Sequence, residues 1–313
     1  MSQATEEARP NAERVPSPSP DLLQADWELD YYSRPILEPD GKKRWELLIC
    51  SSPLSSQPNG GSSPMFRFAR ACPAASVNSI WLRQSLEQAL ADAAEQGFGM
   101  PKRLRCWRSS MRTMVQRAAE GLGLDLVPSR RCYALIDWLQ ERERHVYPAE
   151  AGFQAGPLAP PPTPVRPVPV PLPEAARGES WNWATLPLQA LEEASDWDTG
   201  FQDLLPCPPD LEASLPVPGI RLFSKQRSLA IAALVAGLEP VRLEVVGRQL
   251  ILEAGQDDRW LIASLTEQEA QSAAAVLAEA RERGGALQFI AVQPHPEANQ
   301  LDGFWMLRDL PDA

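Results

Sequence analysis

The sequence predicts an α/β protein built on mixed (α+β) sheets in two domains. Three observations carry that reading. Apolar and polar residues alternate over residues 27–31 and again over 44–49, which is strand periodicity. Ile80, Trp81, Leu82, Leu86 and Leu90 recur at helical spacing. Nine prolines between residues 157 and 173 form an extended, polyproline-type spacer and the clearest boundary in the chain. A length of 313 residues agrees with two domains, while 44% hydrophobic and 23% charged residues are ordinary for a globular protein.

In the first domain, Trp27, Leu29 and Tyr31 share one face of the opening strand, and Trp45, Leu47 and Ile49 one face of the second. Pro39-Asp40-Gly41 between them is turn chemistry: Pro fixes φ, Asp bonds its own backbone, and Gly accepts φ > 0. Residues 51–64, rich in Ser, Gly and Pro, read as a loop. A third strand over 65–72 sets Phe66 and Phe68 against Arg67 and Arg70. Ser76 is the expected cap of a helix over 77–96. A strand over 102–107, a helix to about 121, a strand over 124–128 and a helix ending near 143 complete the unit. The order βββαβαβα is that of the ribonuclease-H-like fold, an antiparallel meander continued by parallel units.

Residues 181–218 are rich in Trp, Asp and Pro with little periodicity, and are expected to wrap a domain without forming its core. Beyond Gly219, Ser224 caps a helix to 238, and strands follow over 241–246, 249–253 and 260–265. Thr266 and Glu269 are placed as a capping box for a helix over 267–285, followed by strands over 287–293 and 304–307. The second domain is thus a smaller βββαββ unit. The expected divisions are a disordered tail (1–24), an N-terminal domain (25–150), a Pro-rich linker (151–180) and a C-terminal domain (181–313).

Five scattered cysteines without a CxxC pair, and only two histidines, argue against a zinc site or a disulfide framework. Neither a metal nor another cofactor is expected. No apolar run is long enough to span a membrane. Glu6, Glu7 and Glu13 make the first residues unlike a transit peptide, so a cyanobacterial cytoplasm is the compartment expected.

The net charge of −11 opposes a general affinity for nucleic acid, but the charge is segregated. Residues 102–131 hold eight Lys or Arg against Glu120 and Asp125, a local balance of +6. Arg108-Ser109-Ser110 and Ser129-Arg130-Arg131 both follow parallel strands and open helices. Open α/β sheets bind ligands at such strand ends, and helix N-termini offer free N–H groups to phosphate. The predicted RNA track is Arg103, Arg105, Arg108, Ser109, Arg112, Arg130 and Arg131, extended by Arg34, Lys42 and Lys43 near the hairpin. Trp107 offers an unpaired base a stacking face, although by itself it reads better as core. The hairpin lysines equally serve edge protection and solubility.

An enzyme remains an alternative. Two-metal phosphodiester hydrolysis needs three or four converging carboxylates, and Asp30, Glu87 and Asp137 are the candidates. The fourth strand, however, ends in Cys106-Trp107-Arg108, basic where an acid is required, so a solvated or structurally paired Asp30 is preferred.

The ordered set Trp27-Glu28-Leu29-Asp30, Ser33-Arg34-Pro35, Gly41-Lys42-Lys43-Arg44-Trp45-Glu46-Leu47, residues 103–109 (RLRCWRS), Gly178-Glu179-Ser180-Trp181, Phe223-Ser224, Arg259-Trp260 and Gly303-Phe304-Trp305 resembles the Tab-two-like family of cyanobacterial and chloroplast RNA-binding translation factors. The resemblance implies a non-enzymatic protein that binds A/U-rich single-stranded RNA in an untranslated region. It implies a role in synthesis of photosystem I reaction-centre subunits, alongside translation or photosystem-assembly proteins. A protein-interaction scaffold acting through the acidic C-terminal half and the spacer is the third reading.

Overall fold

The computed structural model describes residues 23–53, 65–155, 166–208 and 210–310. The N-terminal tail, most of the Ser/Gly-rich loop and part of the proline spacer lie outside these residues.

The hairpin comprises β1 (Trp27–Leu37) and β2 (Lys43–Ser51), antiparallel with Trp27 opposite Ser51 and Ser33 opposite Trp45. Gly41 takes φ +78° in its turn, where Lys42 N donates to Asp40 Oδ1 at 3.1 Å. β3 (Arg67–Cys72) lies antiparallel on β2, while β4 (Leu104–Cys106) and β5 (Leu126–Pro128) add parallel strands beyond β1. The sheet order is β3-β2-β1-β4-β5. Three helices accompany it: α1 (Ser79–Glu95), α2 (Arg112–Ala119) and α3 (Tyr133–His145). The cap of α1 is Asn78, two residues beyond the expected Ser76, and its side chain accepts from Ile80 N and Trp81 N.

Both faces of this sheet are covered. Trp27, Leu29, Tyr31, Leu47 and Ile49 pack against Leu82, Leu86 and Val115 of α1 and α2. Leu48 and Cys50, pointing the other way, join Leu135, Leu139 and Tyr147 around α3. Glu28 and Asp30, the polar positions of the alternation, are therefore buried beneath α3's side of the sheet at 2% and 1% exposure.

The second half holds two sheets and more strands than the βββαββ unit expected. Its elements are β6 (Val170–Pro171), β7 (Ser180–Pro187), α4 (Leu188–Glu192), β8 (Thr199–Asp203), β9 (Pro216–Phe223), α5 (Ser228–Leu238), β10 (Pro240–Val246), β11 (Gln249–Ala254), β12 (Asp258–Ser264), α6 (Glu267–Arg283), β13 (Leu287–Gln293) and β14 (Leu301–Arg308). One sheet runs β10-β11-β12-β6 and the other β7-β9-β13-β14-β8. The stretch expected only to wrap supplies β7, β8 and the start of β9. Its prolines concealed it, yet Pro216 and Pro218 pair only with β7, because β13 joins β9 from Gly219 onward. Spacer residue Val170 pairs with Trp260, so the end of the proline run is itself a strand. Thr266 and Glu269 form the capping box as expected.

Ile220, Leu222, Ile290, Val292, Trp305 and Leu307 face α5 and the β10-β11-β12 sheet in one core. Phe289, Ala291, Phe304 and Met306 form a second core on the opposite face, covered by α4 and residues 194–215. Cys50, Cys72, Cys106 and Cys132 are buried free thiols, and Cys207 is half-buried. No helix among the described residues is long and apolar enough to cross a membrane.

Candidate nucleic-acid interface

The carboxyl ends of β4 and β5, expected to be open to phosphate, are covered by the second half of the chain. Arg130 N donates to Gly255 O at 2.9 Å, and Gln256 Nε2 donates to the carbonyls of Cys106 and Trp107, both at 3.2 Å. These are main-chain groups at the tips of the strands, where a ligand would otherwise dock.

The arginines below them form a buried ionic seam. Arg105 donates through Nε to Glu239 Oε2 at 2.7 Å, and lies 3.2 Å from Asp26 and 3.3 Å from Asp203. Arg131 donates to Asp203 Oδ2 at 2.8 Å, to Pro240 O at 2.9 Å and to Met306 O at 2.8 Å. Arg103 bridges Asp26 and Glu239 at 2.6 and 2.7 Å from a more exposed position. Burial disfavours the Arg105 cation, but Glu239, Asp203 and Asp26 outweigh it and raise its pKa above the ordinary arginine value. Burial likewise pushes the Asp203 and Glu239 carboxyls up, and the arginines outweigh it and hold both below the usual carboxylate range. Glu239 occupies this seam from the left-handed region, φ +55°, at the end of α5. Asp26, Asp203 and Glu239 were not legible as partners: each comes from a stretch distant in sequence, and no local pattern marks a residue that answers a charge so far along the chain.

Several of the expected RNA contacts are consequently corrected. Arg105 and Arg131 are 2% exposed and saturated with protein acceptors, so neither reaches phosphate. Arg34, 3% exposed, is held between Asp30 and Glu46. Trp107 packs in the core around α3. Arg108 pairs with Asp30 at 2.7 Å and lies over the Tyr32 and Trp107 rings at 4.1 and 4.6 Å. Arg130 pairs with Glu253. Lys42 lies 3.8 Å from Asp40 at the hairpin tip, with Lys43 exposed beside it. Ser109 and Arg112 are exposed at the turn that opens α2. Lys102 and Arg117 are exposed as well, and with Arg112 carry no carboxylate partner among the described residues. The solvent-facing basic set is therefore Lys102, Arg112 and Arg117, with Ser109 at the same turn and Lys42 and Lys43 at the hairpin.

The three carboxylates of the nuclease alternative are not brought to one point. Asp30 is buried and clasped by Arg34 and Arg108; burial raises its pKa, and the two guanidiniums outweigh this and keep it low. Glu87 pairs with Arg83 on α1 and Asp137 with Arg308 on β14. Among the described residues no three His, Cys, Asp or Glu side chains converge as a metal site would require.

A mixed α/β protein closed by a buried arginine–carboxylate seam, with Arg112 and Arg117 exposed at the two ends of a short helix and Lys102 ahead of a parallel strand, is a scaffold suited to holding a ligand at its surface. Residues 26–142 match the N-terminal domain of the RNA-binding protein Tab2/Atab2 family, and residues 160–308 match its C-terminal domain. The chain belongs to this family. It is 37% identical over 308 residues to the chloroplastic protein TAB2 homolog of Zea mays, covering 95% of this chain and 74% of that protein. It is 35% identical over 301 residues to the corresponding chloroplastic protein of Arabidopsis thaliana, covering 91% and 75%. No solved structure matches. Both relatives being chloroplastic corrects the cyanobacterial and cytoplasmic expectation: acids near the N-terminus do not decide the compartment of a chain with these relatives.

Proposed function

We propose that this RNA-binding protein supports translation of photosystem I reaction-centre subunits by binding A/U-rich single-stranded RNA in an untranslated region of their message, without catalysis. The membership of both halves of the chain in an RNA-binding family carries the reading. In this proposal residues 25–150 form a ribonuclease-H-like binding domain, 151–180 a linker and 181–313 the second domain, behind a tail of residues 1–24. Lys102, Arg112 and Arg117, with Ser109, contact phosphate from the surface around α2, whose first turn contributes N–H groups. Lys42 and Lys43 extend the track. The buried seam holds that surface rigid and makes no contact with RNA.

The test is fluorescence anisotropy of a labelled A/U-rich oligonucleotide with the full chain, titrated across a salt series. Each phosphate contact to a single strand contributes roughly 0.7 to the slope of log K against log salt. Replacing Lys102, Arg112 and Arg117 together by Ala should flatten that slope by about 2 and weaken binding at low salt. An unchanged slope in the folded triple variant removes this surface from RNA binding.

A further inference from the structure

One cavity of about 860 Å³ opens on the β7-β9-β13-β14-β8 sheet, on the face opposite α5. That volume falls within the roughly 300–1,000 Å³ of small-molecule sites. Its floor follows from strand register. Asn182 of β7, Arg221 of β9, Ala291 of β13 and Phe304 of β14 lie in one row across the sheet. Phe289 and Gln293, two residues either side of Ala291, point to the same face. The small Ala291 side chain leaves room between a guanidinium and a ring.

Arg221 differs from the other arginines that line the protein's interior. Arg34, Arg105 and Arg131 each meet carboxylates. Arg221 meets only neutral acceptors: Asn182 Oδ1 at 3.2 Å, Gln293 Oε1 at 3.3 Å and Pro296 O at 3.2 Å. Its Nη2 makes no hydrogen bond to the described residues. A positive charge positioned by three neutral acceptors, in a chain of net charge −11, is a site for an anion.

The remaining walls suit an aromatic ligand with polar edges. Half-buried Trp197 lines the cavity, fixed edge-on against Phe304 with ring centroids 5.0 Å apart. Exposed Asn299 and Gln300 line the same cavity, and neither amide makes a side-chain hydrogen bond to the described residues. Asp198 adds an acceptor. Amides that both donate and accept suit base edges, and a carboxylate suits a ribose hydroxyl.

We propose that this cavity is a nucleotide subsite, in which Arg221 holds a phosphate and Trp197 stacks an unpaired ribonucleotide base. The subsite deepens the RNA-binding reading and rests on it for the source of its ligand; a free nucleotide would present the same chemistry.

The test uses the full chain and two variants, Arg221→Gln and Trp197→Phe, shown by circular dichroism and urea midpoint to be folded. Binding of uridine and adenosine 5′-monophosphates is measured by calorimetry, and binding of the single-stranded oligonucleotide by anisotropy. Arg221→Gln should weaken mononucleotide binding about tenfold, as loss of a charge-assisted hydrogen bond implies, and lower the RNA salt slope by about 0.7. Trp197→Phe should weaken both ligands while leaving the salt slope unchanged. RNA bound by the wild type with the same affinity and slope in both variants, and no variant-dependent mononucleotide binding, overturns the subsite and leaves RNA binding standing. Mononucleotide binding that depends on Arg221, in a chain with no affinity for RNA, keeps the subsite and overturns the RNA reading.

Discussion

Replacing Glu239 tests whether the ionic seam joins the two halves of the chain. Its carboxylate accepts from Arg105 Nε at 2.7 Å, Arg105 Nη2 at 3.2 Å and Arg103 Nη1 at 2.7 Å. Removing one partner of a buried pair costs about 3–5 kcal/mol because the other charge is left uncompensated. Arg105 keeps Asp26 and Asp203, which places Glu239→Ala near the low end, about 3 kcal/mol. Arg103 is 37% exposed and adds well under about 1 kcal/mol. The left-handed backbone at 239 opposes any residue with a Cβ by about 1–2 kcal/mol. Glu239→Gly loses the same ion pair but relieves that strain, so it should be about 1 kcal/mol less damaging than Glu239→Ala. Urea unfolding followed by far-ultraviolet circular dichroism at pH 7 measures both. A loss below about 1 kcal/mol for Glu239→Ala, or no advantage for Glu239→Gly, refutes the account of the seam.

Three further outcomes follow from the same architecture. Burial pushes the Glu28 carboxyl up from 4.5 to about 7, against the hydrogen bonds it accepts from Leu135 N and Ser52 Oγ and the fields of Arg105 and Arg131. The folded state therefore holds more protons than the unfolded one between about pH 4.5 and 7, and stability falls as pH rises through that window, by up to about 3 kcal/mol. Glu28→Gln should flatten this slope in urea midpoints taken from pH 5 to 8; an undiminished slope assigns it to other groups. Gly303→Ala places a Cβ against the Trp305 ring and 2.8 Å from Ala232 Cβ, so a loss of about 1–3 kcal/mol is expected, visible as a lowered thermal midpoint. Residues 25–150 expressed alone leave Arg105 and Arg131 without Glu239 and Asp203, and should show a broad, low-temperature transition; a sharp transition at the full chain's midpoint would show that the seam is dispensable.

What the sequence revealed divides by range. The hairpin, α1 and the capping box of α6 were legible because turn chemistry, periodicity and caps act within a few residues. The mixed α+β class was legible for the same reason. The start of β9 was hidden because proline usually excludes strands, and only the strand register shows that Pro216 and Pro218 escape the β13 pairing. The basic segment is one cluster in sequence, yet its members divide between the interior and the surface. Nothing within residues 102–131 distinguishes Arg105, which ends in a buried seam, from Arg112, which stays in water, because the carboxylates of Asp203 and Glu239 lie 98 and 134 residues away. Arg221 escaped notice for the opposite reason: it stands alone in sequence, and its neighbours across the sheet give it meaning.

The distribution of thiols gives the molecule a chemical clock for its own opening. Cys106 and Cys132 lie in the segments that the second half covers, where Cys132 donates to Ser129 O at 3.3 Å. Burial pushes the Cys106 thiol up to about 12 and Cys132 well above its ordinary value, so neither forms the reactive thiolate while the cores around them stay closed. Cys106 lies inside the first half's own core beside Leu29 and Val115, and Cys132 among Leu48, Leu135 and Leu139, so alkylation of either requires that core to open and not detachment alone. Half-buried Cys207 should react first and independently. The delay between its modification and that of Cys132, timed by mass spectrometry, reads the free energy of opening the core around α3.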